Sequence, residues 1–66
     1  MKIHSSMIDS LWYSPKHRRL TVRFNNQSTY EYAGVRADTY DQLIQSGSKG
    51  KFFHRNIRGK YDYRRK

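Results

Sequence analysis

The side chains best equipped for chemistry in this chain are cations, and they crowd into its last third. Lys49, Lys51, Arg55, Arg58, Lys60, Arg64, Arg65 and Lys66 stand against the single acid Asp62 within residues 47–66. That is a surplus of seven in a 66-residue chain whose formal net charge is +9. Clustered cations suit phosphate, because each neutralised phosphate releases condensed counterions. Arginine adds a planar fork for bidentate hydrogen bonding and a face for stacking. The pI near 10.3 implies a partner that is negative over a wide area: nucleic acid, or an acidic protein face.

Aromatic rings interleave with these charges. Phe52, Phe53, Tyr61 and Tyr63 punctuate the basic segment, and Tyr30 and Tyr32 alternate on an upstream strand. Rings beside cations grip single-stranded nucleic acid, at about 1–3 kcal/mol per stacked base. The same rings are natural core filling in a chain poor in aliphatics, and for Phe52 and Phe53 that reading has the advantage. Ser48-Lys49-Gly50-Lys51 reads as a loop that presents backbone N–H groups and an ammonium to one phosphate. It lacks the full G-x4-G-K-[ST] pattern, so nucleotide hydrolysis is not suggested. The blander role for that loop is a turn in which Gly50 supplies a positive φ.

Catalytic and metal chemistry have little to work with. Asp9, Glu31, Asp38, Asp41 and Asp62 form no evident acid/base pair. A nuclease centred on His54, with Lys51 or Arg55 nearby, would rest on one histidine. There is no cysteine, which excludes disulfides and thiolate metal sites. His4, His17 and His54 lack metal-binding spacing. The expectation is a binding module, not an enzyme, without cofactor or metal. No apolar run approaches the ~20 residues of a membrane span. The segment from Met1 to Ser6 holds no apolar block of signal-peptide length, so a cytoplasmic protein is expected.

The elements that position these residues are legible from periodicity. The mean hydropathy of −1.11 approaches that of disordered segments. The apolar residues are nevertheless patterned, and 15% of the chain is aromatic, which argues for a folded domain. After a polar lead-in over residues 1–6, Ile8 to Tyr13 reads as a first strand and Ser14-Pro15-Lys16-His17 as a turn. Leu20, Val22 and Phe24 alternate with Arg19, Thr21 and Arg23, the mark of a half-buried strand. Asn25 to Ser28 forms a hairpin loop, Thr29 to Ala33 returns, and Gly34 ends the strand. A two-residue turn puts Tyr30 and Tyr32 on the face opposite Leu20, Val22 and Phe24, whereas a three-residue loop puts them on the same face. The sequence accommodates either. Asp38 reads as an N-cap, Tyr40, Leu43 and Ile44 give one helical stripe over about residues 38–46, and Gly47 suits the C′ position. Lys51 to Ile57 reads as a short helical turn that carries Phe52, Phe53 and Ile57.

With these residues in view, the chain resembles the KTSC family, a short domain found alone in bacterial and phage proteins and at the C-terminus of some lysyl-tRNA synthetases. The matching residues are Ser5-Ser6, Leu20-x-Val22-x-Phe24, Tyr30-Glu31-Tyr32, Val35 and Tyr40. The stretch Ser48-Lys49-Gly50-Lys51-Phe52-Phe53, leading to Asn56-Ile57-Arg58-Gly59-Lys60-Tyr61, extends the match over roughly residues 5–63. Gln27 stands where the family usually has a hairpin glycine, Arg36 where proline often follows the valine, and His54 where asparagine is common. The resemblance implies a small domain whose usual proposed role is RNA binding.

The expected architecture is therefore α+β. A three-stranded antiparallel meander packs against one helix, followed by a short helical or irregular basic segment. A single domain spans residues 1–66, with 5–63 as its core and 64–66 as a free basic tail. The expected partner is RNA, or with less support single-stranded DNA, recognised through backbone and shape. Tyr30, Tyr32, Lys49, Lys51, Arg55, Arg58, Lys60, Arg64 and Arg65 are the expected contacts. The competing expectation is a protein-interaction module that docks on an acidic partner, such as a phage-encoded modulator of a host enzyme. One exposed sheet edge leaves the oligomeric state open.

Overall fold

The alternation over Arg19–Phe24 dictates a strand with one apolar face, and the rest of the fold is built around covering it. The computed structural model describes residues 2, 3 and 5–66; Met1 and His4, the latter among the histidines weighed as metal ligands, lie outside them. Strand β1 (Ile8–Ser14), β2 (Arg19–Phe24) and β3 (Thr29–Tyr32) form the expected meander. Helices α1 (Ala37–Gln45) and α2 (Lys49–Asn56) follow, and strand β4 (Tyr63–Arg65) completes an antiparallel sheet of order β1-β2-β3-β4.

Among the described residues, four strands and two helices thus stand where three strands, one helix and a short helical or irregular segment were expected. The difference lies in the C-terminal segment. Arg64, Arg65 and Lys66 are not a free tail, because β4 pairs Tyr63 with Tyr32, Arg64 with Glu31 and Arg65 with Tyr30. The Ala33 N–H donates to Asp62 O at 2.8 Å, and the Lys66 N–H donates to Thr29 O at 2.9 Å. Three polar or aromatic residues carry no apolar alternation, so this strand is defined by its partner's backbone and not by its own sequence.

The hairpin parity resolves to a three-residue loop. Arg23 pairs with Thr29, the Phe24 N–H donates to Ser28 O, and the Gln27 N–H donates to Phe24 O. Gln27 takes φ 75°, the left-handed conformation that closes such a loop and that glycine adopts most readily. Tyr30 and Tyr32 consequently share the face of Leu20 and Val22, their direct cross-strand partners.

Both helices lie on that face. Leu43 of α1 is fully buried, and Tyr40 stacks on Tyr13 with ring centroids 4.7 Å apart. The Tyr13 hydroxyl donates to Val35 O at 2.6 Å and so satisfies its polar end. Phe53 of α2 meets Phe24 and Tyr32 edge to face at 5.4 and 5.3 Å. Ile8, Leu11, Leu20, Val22, Val35 and Ile57 complete the core. Each such side chain contributes about 1.5–3 kcal/mol by leaving water.

Local details depart from expectation at the helix ends. The N-cap of α1 is Arg36, in extended conformation, and Asp38 sits inside the first turn. There its carboxylate accepts from the Thr39 N–H at 2.9 Å, lies 3.4 Å from Arg36 Nε and favours the positive helix end. Ser46 caps α1 at its C-terminus, and Gly47 does not take a positive φ. Ser48-Lys49-Gly50-Lys51 is not a loop; Ser48 is the N-cap of α2 and the helix begins at Lys49. Gly50 has no positive φ either. The lead-in crosses close to it: a Cβ there would lie 3.2 Å from Met7 Cε, and the methionine would have to give way slightly. That lead-in is anchored by buried Ile3, and the Ser5 hydroxyl accepts from the N–H groups of Met7 and Ile8.

Candidate nucleic-acid interface

Past the C-cap of α2 at Ile57, the chain must reverse to reach β4. Gly59, at φ 76°, makes that reversal. Arg58 is thereby left at the mouth of a cleft between α2, the β2–β3 loop and β4. The cleft has a volume of about 650 Å³, and its walls include Phe24, Tyr30, Tyr32, Phe53 and Tyr63. The rings interlock: Tyr63 lies 5.6 Å from Tyr30 and 5.7 Å from Tyr32, and Tyr30 lies 5.9 Å from Phe24. Asn25, Asn26, Ser28, His54 and Arg58 supply the polar rim, and no carboxylate appears among the described lining residues.

Exposure divides the rings by role. Tyr32 is only 4% exposed and cannot offer a face to a ligand, which corrects its assignment as a stacking residue. Burial, followed by the neighbouring Tyr30, pushes its phenol pKa upward, with Arg58 acting in the opposite direction. It is a neutral wall of the cleft. Tyr30 is half-buried, and Tyr63 is 61% exposed, the ring most open to solvent. Tyr63 was visible in the sequence only as an aromatic within the basic segment. Its place beside Tyr30 depends on β4, which periodicity does not reveal.

The expected cations are also sorted. Lys51 and Arg55 lie one turn apart on the exposed side of α2, with His54 between them and Arg58 just beyond. Together they form a cationic stripe that leads to the cleft mouth. Arg65 pairs with Tyr30 across the ladder, on the face of the cleft, and Lys60 is exposed in the reversal after α2. Two of the expected contacts lie away from the cleft. Lys49 is half-buried and its Nζ donates to Ser46 O at 3.2 Å, so it serves the end of α1. Arg64 projects to the opposite face of the sheet, where its Nε lies 3.0 Å from Glu31 Oε1.

The arrangement suits a planar, anionic ligand: rings to cover a base and cations to meet its phosphates. Among the described residues, no group of three histidines or carboxylates is placed to hold a metal ion. No helix among them is long and apolar enough to cross a membrane.

Comparison with known proteins places the chain. It is similar to a lysine–tRNA ligase of Nostoc sp., 35% identical over 63 residues that make up 96% of this chain and 11% of that protein. A small protein of Tsukamurella paurometabola is 29% identical over 89% of this chain and 88% of its own length. The chain thus spans about a tenth of the ligase and most of the smaller relative. The crystal structure of a KTSC domain protein from Yersinia pestis superposes with a TM-score of 0.98 at 36% identity, covering 100% of this chain and 93% of that one. The KTSC domain model matches residues 4–61, and the chain belongs to the KTSC domain family.

Proposed function

We propose that this domain is a non-catalytic RNA-binding module of the cytoplasm, which holds RNA along the exposed side of α2 and in the adjoining aromatic cleft. The observation that carries this reading is the continuity between the stripe of Lys51, Arg55 and Arg58 and a cleft walled by Tyr30 and Tyr63. Phosphates lie along the stripe while an unstacked base enters the cleft. Recognition is of backbone and shape, since no base-reading motif accompanies the charges. The similarity to lysine–tRNA ligases supports an RNA partner, because an enzyme of that name acts on tRNA.

The test is a titration of fluorescently labelled RNA, followed by anisotropy at rising salt. Three to four phosphate contacts predict a slope of log K against log[salt] of about −2 to −3 for a single strand. An affinity that stays flat between low and physiological salt removes the phosphate-contact mechanism. A stoichiometric protein partner that survives nuclease treatment, with no RNA binding, assigns the charge to an acidic protein instead.

A further inference from the structure

The face of the sheet turned away from the helices carries its own constellation. Cross-strand pairing aligns Trp12, Thr21, Glu31 and Arg64 in one row over all four strands. Arg23 and Thr29 pair in the neighbouring row, and Arg19 pairs with Ser14. Trp12 is 49% exposed and makes none of the ring contacts seen among the described residues. Ser10, Ser14 and Thr21 beside it on this face are small, and half of the indole is open to solvent. A shallow depression of about 360 Å³ lies beside it, lined by Thr21, Arg23, Thr29 and Lys66.

The charge around the ring is cationic. Arg19, Arg23, Arg64 and Lys66 face this side, and the Glu31 carboxylate among them is already met by Arg64 at 3.0 Å and Lys66 at 3.6 Å. Both of those cations stay largely exposed. Asp9, at the bulge in β1, accepts from the Ser10 hydroxyl at 2.6 Å and feels the charges of Lys2 and Arg23. A half-exposed indole on a sheet, flanked by arginines, suits a flat π-face tied to an anion. A nucleotide has that form, whereas an acidic peptide offers anions without the ring.

We propose that this outer face is a second nucleic-acid contact, on which an unpaired base of the bound strand stacks on Trp12 while Arg23 and Lys66 meet its phosphates. The inference rests on the RNA reading and extends it to a surface that the cleft does not include. β4 is the physical link between the two, since Tyr63 projects to the cleft face and Arg64 to the outer face of the same edge strand. A single strand that turns around this edge meets both.

Trp12 is the sole tryptophan, so its emission reports this face alone. A single-stranded RNA decamer is titrated into the intact protein while Trp12 emission and the anisotropy of a labelled decamer are read in parallel. The proposal predicts quenching with the same midpoint as the anisotropy rise. It further predicts that Trp12→Ala weakens binding by about 5- to 150-fold and that Trp12→Phe retains most of it. The ring is half exposed, so Trp12→Ala is expected to keep the wild-type circular dichroism. Binding with unchanged Trp12 emission and wild-type affinity in Trp12→Ala overturns the platform but leaves RNA binding intact. No anisotropy change with any RNA overturns both. Quenching by an octaglutamate peptide, with none by the decamer, overturns the proposal in favour of a protein partner.

Discussion

Glu31 and Arg64 face one another across the β3–β4 ladder, and Arg64 Nε donates to Glu31 Oε1 at 3.0 Å. With Lys66 on the other carboxylate oxygen, this one acid ties down the middle of the last strand and the residue that follows it. The hydrogen bond from Arg64 is the main reason that the Glu31 pKa lies below its usual 4.5; desolvation opposes it, and the charges of Lys66, Arg64 and Arg19 assist. A depressed folded-state pKa gives stability that is present above the unfolded value and lost as pH falls through the folded one. Acidification below about 4.5 is therefore expected to loosen β4 first. Amide NMR shifts of Arg64, Arg65 and Lys66 should move before those of Leu20 and Val22. Glu31→Gln should reproduce the change at neutral pH, and unaltered β4 amides in that variant would contradict the assignment.

Phe53 is the keystone between α2 and the sheet, 1% exposed and in edge contact with both Phe24 and Tyr32. Phe53→Ala is expected to cost about 3–5 kcal/mol. Against a typical domain stability of about 5–15 kcal/mol, much of the folded state is forfeited. Urea denaturation followed by circular dichroism measures this. A loss under about 1 kcal/mol would mean that the neighbouring rings close over the gap.

Gln27 occupies a left-handed position that costs a non-glycine residue roughly 1–2 kcal/mol. Gln27→Gly relieves that strain but gives up the acceptor for the Arg23 guanidinium and adds freedom to the unfolded chain. The balance predicts a gain of about 0.5–1 kcal/mol, or a few degrees in Tm. A lower Tm would show that the Arg23–Gln27 contact outweighs the backbone term.

Lys51 and Arg55 are exposed on α2 and enter no ion pair among the described residues. Lys51→Glu with Arg55→Glu should leave thermal stability within about 0.5 kcal/mol, as expected for surface positions. The same pair should flatten the salt dependence of RNA affinity by about 1–2 units of slope. Full RNA affinity in this variant would move the binding surface off α2.

The meander and the helical stripe were legible because their periods are unambiguous: Leu20, Val22 and Phe24 at two, Tyr40, Leu43 and Ile44 at helical spacing. The face of Tyr30 and Tyr32 was not, because one residue in a turn exchanges the two sides, and Gln27 conceals the positive φ that a glycine would have signalled. β4 left no trace, since Tyr63-Arg64-Arg65 is extended by pairing with β3 and reads otherwise as charge. Gly50 illustrates the opposite error. Within Ser-Lys-Gly-Lys it looks like turn chemistry, whereas it lies in a helix that the Met7 side chain passes close by. Among the site residues, Lys51, Arg55 and Arg58 followed from charge alone, while the burial of Tyr32 and the exposure of Trp12 follow from which face of the sheet the helices cover.

The strands lie side by side in the order in which the chain presents them. Each of the first two pairings is closed by a short turn, so their entropic cost is small and their formation is fast. Only β4 must wait for a distant partner, because both helices lie between it and β3. Its docking is the natural last event of folding and, by the same logic, the first to be undone. The edge that carries Tyr63 toward one face and Arg64 toward the other is thus the part of the domain most able to open and close without the core, and a strand of nucleic acid seated across it would act as a clasp.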